Sequence, residues 1–246
     1  MLSAQLREGV VADNLANSQT VGYQALSATV SSFGGKRVDL VPGGAGSVLA
    51  PGLRPLGVVT SGALLDATQI VWTAGPLQAS TNPLAAAIQG PGMFAVQTPA
   101  GVLYTRAGDF HLNGANQLVD ALGQPVLGAN GKPVQVPPGA GGVRIHADGA
   151  LMRGGQQVGQ VAVFLPATTL LQPAGQGLYG LAAGAPAATT VPASLTPGFL
   201  EGANVDVTGQ MATLLQIQQV FGADTSALQA ADNTMRAVQN DVGTTA

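Results

Sequence analysis

Near the C-terminus, apolar residues recur at alternating steps of three and four. Leu214, Ile217, Phe221, Leu228, Ala231, Met235, Val238 and Val242 fall on this spacing, with Asp224 the one interior exception. That is the seam of a coiled coil. No proline interrupts the stretch from about Thr208 to Val242, so the pattern predicts one helix roughly 50 Å long at 1.5 Å per residue. Gly222 inside it costs about 1 kcal/mol relative to Ala. A second helix is predicted from Leu2 to Asn17, where there is no proline and one glycine. Ser3, Arg7, Asn14 and Ser18 form a narrow polar stripe. Leu2, Ala4, Leu6, Val10, Val11, Ala12, Leu15 and Ala16 cover much of the remaining surface, although Gln5, Glu8 and Asp13 break the pattern. A helix apolar on most sides requires burial on most sides. It is also the only intramolecular partner available to the C-terminal seam.

Between the two helices the period changes to two. Phe94 and Val96 are predicted to face Val102 and Tyr104 across the Thr98-Pro99-Ala100-Gly101 turn, as a hairpin. Phe110 and Leu112 alternate before Asn113-Gly114, Val143 and Ile145 before Asp148-Gly149, and Val161, Val163 and Leu165 before Pro166. Turn signals at such short spacing predict an antiparallel β domain, barrel-like or sandwich-like. Gly34-Gly35, Pro42-Gly43-Gly44 and Pro51-Gly52 predict an extended, irregular connector. The expected fold class is therefore α+β. Residues 1–30 and 203–246 make a paired helical domain, 31–70 a connector, and 71–202 an inserted β domain.

Composition narrows the function. Of 246 residues, 35 are Gly and 16 are Pro, and only 9% are charged, with a net charge of −3. Two lysines and seven arginines are too few for a strong nucleic-acid binder, which needs cations for phosphate. The protein has no cysteine, which excludes a disulfide scaffold and a cysteine zinc site. No apolar run approaches the roughly 18 residues of a membrane span. The first residues lack the basic start and apolar core of a cleaved signal peptide. Residues 67–105 and 154–200 carry no charge at all. Either that surface faces other protein, or it reflects a Gly/Ala-rich bias.

Candidate chemistry is sparse. Gly90-Pro91-Gly92-Met93-Phe94-Ala95 fits the G-x-G-x-x-A spacing of a dinucleotide fold. That fingerprint needs a helix N-terminus after it to aim amides at the pyrophosphate, whereas a strand pattern follows here. The glycines are read as a tight turn leading into the β domain. His111 and His146 are the only histidines, both in predicted strands, and no G-x-S-x-G elbow accompanies them. Arg106 and Asp109 are close enough in sequence to pair, as a structural salt bridge at a strand end. No catalytic residue, cofactor or metal is assigned.

Four segments carry a resemblance. Residues 12–23 read Ala-Asp-Asn-Leu-Ala-Asn-Ser-Gln-Thr-Val-Gly-Tyr, and residues 88–94 read Ile-Gln-Gly-Pro-Gly-Met-Phe. Residues 104–110 read Tyr-Thr-Arg-Ala-Gly-Asp-Phe, with Gln117-Leu118-Val119 downstream, and residues 200–207 read Leu-Glu-Gly-Ala-Asn-Val-Asp-Val. In this order they resemble motifs of bacterial flagellar rod and hook proteins. The length is that of the rod proteins. The resemblance implies terminal helices that pack into an inner tube, with the β domain outside. It implies subunits stacked helically into a drive shaft in the flagellar basal body, and export by the flagellar type III apparatus. The implied partners are copies of itself and other rod and hook subunits.

The assembly residues would be Leu6, Val10, Asn14, Leu15, Asn17, Gly22, Tyr23, Asn204, Leu214, Ile217, Phe221, Leu228, Met235 and Val238. The β-domain motif residues would be Gly90, Gly92, Phe94, Tyr104, Arg106, Gly108 and Phe110. Asn14 and Asn17 are placed to bond backbone where the first helix ends, Gly22 suits the turn out of it, and Asn204 stands at the start of the last helix. Family members have a longer lead before the first motif. Asp13 replaces its first Asn, and Phe221-Gly222 replaces an aromatic–acidic pair, which predicts a bend. The Pro/Gly-rich insert at 34–60 favours a distal over a proximal rod subunit. The alternative from another class is an exported β-rich module that binds glycan or peptidoglycan and oligomerises through its helical ends.

Overall fold

The computed structural model describes residues 2–32, 35–39, 55–60, 63–139 and 141–243. Helix α1 spans Leu2–Ala16 and helix α2 spans Val207–Gly243; between them the regular elements described are short strands and one 3-10 turn, Thr168–Leu170, linked by turns and irregular segments. Every strand pairing with a described register is antiparallel. The α+β class and the two terminal helices therefore stand. The sheets are small, with two to four strands each, rather than one continuous barrel wall.

The protein divides into two compact units. One comprises Met1–Ala12, Leu26–Gln69 and Met211–Ala246; the other comprises Asp13–Ala25 and Ile70–Gln210. This division differs from the sequence-based one at residues 13–25, which belong with the β unit. It differs again at 31–69, which group with the helical ends rather than standing as a separate connector, and at 203–210, which belong with the β unit.

Within the first unit the predicted irregular connector is corrected. Strands Leu26–Ser32 and Ala63–Ile70 pair, and strand Gly35–Asp39 pairs with Pro55–Thr60. Leu26 and Ala28 are half-buried while Ser27 and Thr29 are exposed, an alternation with the strand period. The density of glycine and proline obscured it. The Pro42-Gly43-Gly44 and Pro51-Gly52 turns lie outside the described residues. Helix α2 is continuous through Phe221-Gly222. The Gly222 carbonyl accepts the hydroxyls of Thr225 (2.8 Å) and Ser226 (2.9 Å) as well as its place in the helix. At 37 residues the helix is roughly 55 Å long.

The second unit is organised around strand Phe94–Thr98, which is buried on both faces. Phe94 and Val96 point into a core with Phe110, Leu118, Val126, Leu151 and Val161. Met93 and Ala95 point into another with Tyr104, Leu127, Leu171 and Tyr179. The Phe94 and Phe110 rings meet edge-to-face at 4.8 Å, a favoured aromatic geometry. Burying an aromatic or aliphatic side chain this fully contributes about 1.5–3 kcal/mol.

The predicted hairpin forms, but its register differs by one residue. Thr98 pairs with Gly101, so Val96 lies opposite Leu103 and Phe94 opposite Thr105. Leu103 packs against the Phe94 core, while Val102 is exposed and Tyr104 joins the other core. The two-residue Pro99-Ala100 loop sets this register, and a shift of one residue exchanges the faces. Leu165 is likewise exposed, unlike Val161 and Val163.

Candidate functional site

The four motif segments contribute to a buried polar cluster in the second unit. Its centre is an ion pair that sequence proximity did not indicate. Arg106 Nε donates to Glu201 Oε2 at 2.8 Å, with Arg106 8% exposed and Glu201 1% exposed. The expected Arg106–Asp109 pair is therefore corrected: Asp109 instead accepts from Asn82 Nδ2 at 3.1 Å. Arg106 follows strand Gly101–Thr105, and Glu201 closes strand Phe199–Glu201.

The remaining guanidinium donors have partners as well. Arg106 Nη1 donates to the carbonyls of Gly90 (3.3 Å) and Gly92 (3.2 Å), and Nη2 to Gly90 (3.2 Å). The G-x-G segment thus presents carbonyls to a cation, the reverse of a phosphate cradle. Gly92 has φ 137°, and a Cβ there would strike the Val163 side chain. Strand Phe94–Thr98 follows directly, which agrees with the turn reading. Gly108 lies against the Ala86 backbone, and Ala86 N donates to its carbonyl at 3.1 Å.

Glu201 Oε1 accepts from Gly75 N at 3.1 Å and lies 3.3 Å from the Gln24 side-chain amide. Gln24 N donates to the Tyr179 hydroxyl at 2.8 Å, and the Trp72 ring meets the Tyr179 ring edge-on at 5.2 Å. Asn204 joins three segments. Its Oδ1 accepts Ala25 N at 2.6 Å, and its Nδ2 donates to the carbonyls of Val71 (2.8 Å) and Thr73 (2.9 Å). It does so two residues before Asp206, which stands immediately ahead of the first turn of α2. A carboxylate is well placed there against the positive end of a helix.

Gly22 shows why the first motif ends in T-x-G-Y. It has φ 69°, and a Cβ would collide with the backbone of Arg106 and Ala107. Its N–H donates to the Glu201 carbonyl at 2.7 Å. The Gly22→Ala variant is expected to lose at least about 2 kcal/mol, from left-handed strain plus the clash. Thermal unfolding checks this; an unchanged Tm would contradict the close approach.

Asn17 Nδ2 donates to the Asp13 carbonyl at 2.9 Å, where α1 ends. Asn14, fully buried, accepts the Tyr23 hydroxyl at 3.2 Å. Burial and the nearby Asp13 carboxylate push the Tyr23 hydroxyl up to about 12. Burial foremost, with the Tyr23 and Glu201 charges, raises Tyr179 further, against the opposing bond from Gln24. An unfolded tyrosine titrates near 10. Above that pH the unfolded state releases protons that the folded state keeps. This contribution is therefore fully present below about pH 10 and is lost as pH rises through about 12. Urea midpoints should fall over that window, and less so for Tyr179→Phe. Midpoints flat over the window would contradict the burial of both hydroxyls.

The seam residues fall differently. In the first unit Ile217 is 6% exposed and Val11 is buried, while Leu214 and Phe221 are half-buried. Leu228 is 57% exposed and Met235 70%. Leu6 is exposed, and Val10 and Leu15 are half-buried. Val238 lies outside the residues whose side chains are described.

His111 and His146 are both exposed, and His146 follows strand Val143–Ile145 rather than lying in it. Asp120 is buried and accepts from Leu122 N (3.0 Å) and Gln124 N (2.7 Å). Desolvation raises its carboxyl; those two bonds and His111 oppose the rise. It staples a turn. Among the described residues no group of three or more acidic or histidine side chains could hold a metal, and no helix is long and apolar enough to cross a membrane. A cleft of about 260 Å³ beside the cluster is lined by Trp72, Pro91, Met93, Arg106 and Leu165.

The charges of the Arg106–Glu201 ion pair are met by carbonyls and amides of other segments, which makes both side chains ties between segments of the second unit. Comparison with known proteins gives the family. Residues 87–152 match the flagellar hook protein FlgE/F/G D1 domain, and residues 196–241 the flagellar basal body rod FlgEFG protein C-terminal family. The sequence is 32% identical to the flagellar basal-body rod protein FlgF of Mesorhizobium japonicum, over 89% of its own length and 86% of that protein. It is 27% identical to the flagellar basal-body rod protein FlgG of Bacillus subtilis, over 98% and 95%. This chain belongs to the flagellar basal-body rod protein family.

Proposed function

We propose that this protein is a structural subunit of the flagellar basal-body rod. Its two terminal helices pair as a coiled coil and pack with those of neighbouring copies into the inner wall of a helical shaft, with the β unit outside. The observation that carries this reading is the state of the α2 seam. The heptad spacing continues past Ile217, yet Leu228 and Met235 stand exposed in the single subunit. A regular apolar stripe left open over the outer turns of a 37-residue helix is completed by another subunit. In this reading the subunit reaches its place through the flagellar export apparatus and meets other rod and hook subunits end to end. The sequence between α1 and the β unit favours the distal segment of the rod, and relatives named FlgF and FlgG both match most of the sequence.

Deletion of the gene tests the proposal. Cells lacking the protein should not swim and should build basal bodies with an interrupted axial structure, restored by the wild-type gene. A complete rod in the deletion strain, together with saturable binding of the purified protein to peptidoglycan as a small oligomer, would replace this reading with the glycan-binding one.

A further inference from the structure

The sequence holds two Asn-Gly steps, Asn113-Gly114 and Asn130-Gly131. Both sit in tight turns of the β unit, but their surroundings differ. Asn113 is half-buried, and its side chain is held at both ends: Oδ1 accepts Ala115 N and Gln117 N, each at 2.9 Å, and Nδ2 donates to Gln117 Oε1 at 3.3 Å. Asn130 is exposed, and its one described side-chain bond is Lys132 N donating to Oδ1 at 3.1 Å. Gly131 is exposed, and a Cβ built there would meet nothing. The same holds at Gly114, so the two sites differ in how the asparagine side chain is held.

We propose that Asn130-Gly131 is a site of spontaneous covalent modification, at which the asparagine converts to an aspartyl or isoaspartyl residue. The Gly131 amide nitrogen gives its proton to solvent base and bonds to Asn130 Cγ. The Cγ–Nδ2 bond of Asn130 breaks and ammonia leaves, closing a five-membered imide. Water then opens the imide at either carbonyl. No oxidant or reductant takes part.

The Lys132 N–H, already on Oδ1, stabilises negative charge as it develops on that oxygen during attack. Gly131 N donates to the Gly128 carbonyl at 3.0 Å, so the reaction requires transient opening of the 128–132 turn. Residues 129–132 of that turn are exposed, although Gly128 is buried, and exposed turn segments open with low free energy. At Asn113 three side-chain bonds must break first. The product adds a negative charge to a protein of net charge −3. In the isoaspartyl form it also lengthens the backbone of a turn flanked by the buried Leu127 and Val134.

The test is peptide mapping of the folded, full-length protein after incubation at mildly alkaline pH, with isoaspartyl and aspartyl products resolved chromatographically. Each conversion adds about 1 Da. We expect the Asn130 peptide to convert on the order of tenfold faster than the Asn113 peptide in the folded protein, and the two rates to converge in urea. In urea, where the left-handed strain that Ala would meet at Gly131 (φ 70°) is absent, Gly131→Ala should slow conversion at Asn130 without changing Asn113. Equal rates at the two sites in the folded protein would overturn the proposal. So would conversion at Asn130 only after unfolding. Neither result bears on the rod assignment.

Discussion

Replacing Leu228 or Met235 by Asp should leave the protein folded and abolish its assembly. Both side chains are exposed in the single subunit, Met235 at 70%. A polar substitution there falls within about 0.5 kcal/mol of neutral for folding. In the proposed assembled seam the same carboxylate is buried without a partner, at a cost of several kcal/mol at each contact. Because every subunit repeats the contact, the penalty accumulates along the shaft. The measurement pairs thermal unfolding of the purified variant with swimming of a deletion strain that carries it. We expect a wild-type melting curve and no motility. Gln229→Asp, one position off the seam, should swim normally. Wild-type motility of Leu228→Asp would remove the coiled-coil reading.

The second large effect concerns the buried ion pair. Removing Glu201 with Glu201→Ala strands a guanidinium that is 8% exposed, and also leaves Gly75 N without its acceptor. Breaking one partner of such a pair costs about 3–5 kcal/mol. For a domain of this size that lowers Tm by roughly 10 °C or more. Arg106→Met combined with Glu201→Leu should recover part of the loss, because no unpaired charge remains. Unfolding in urea, followed by tryptophan fluorescence from Trp72, provides the measurement. A Glu201→Gln variant as stable as wild type would show that the charge interaction is not what holds the segments together.

The helices were legible because each is a proline-free run with a helical period, sustained in α2 past the single miss at Asp224 and recognisable in α1 although Gln5, Glu8 and Asp13 break it. Strands with a clear period of two ahead of a turn residue were legible, as at Thr98–Gly101, whereas those on either side of Gly154-Gly155 and of Gln176-Gly177 were not. Register was not, because a one-residue change in loop length exchanges the two faces of a hairpin. Strands Leu26–Ser32 and Ala63–Ile70 were missed because glycine and proline between them dominate local composition.

The Arg106–Glu201 pair spans 95 residues, and local spacing cannot supply a contact of that range. A signal was nevertheless present. Arg106 is the first charge after the uncharged stretch 67–105, and Glu201 the first after 154–200. A single charge at the border of a long apolar region is either at the surface or paired, and opposite signs at two such borders suggest each other. Gln24 and Tyr179 gave no comparable signal, since a glutamine after a turn and a tyrosine in a strand are both ordinary.

In the proposed assembly this protein is built into the axial structure. Mass spectrometry of detergent-stripped hook–basal bodies, purified from cells that express it, tests this most directly. Many copies of the protein are expected in those particles, alongside other rod and hook subunits. Its absence from particles with an intact rod would refute a place in the shaft.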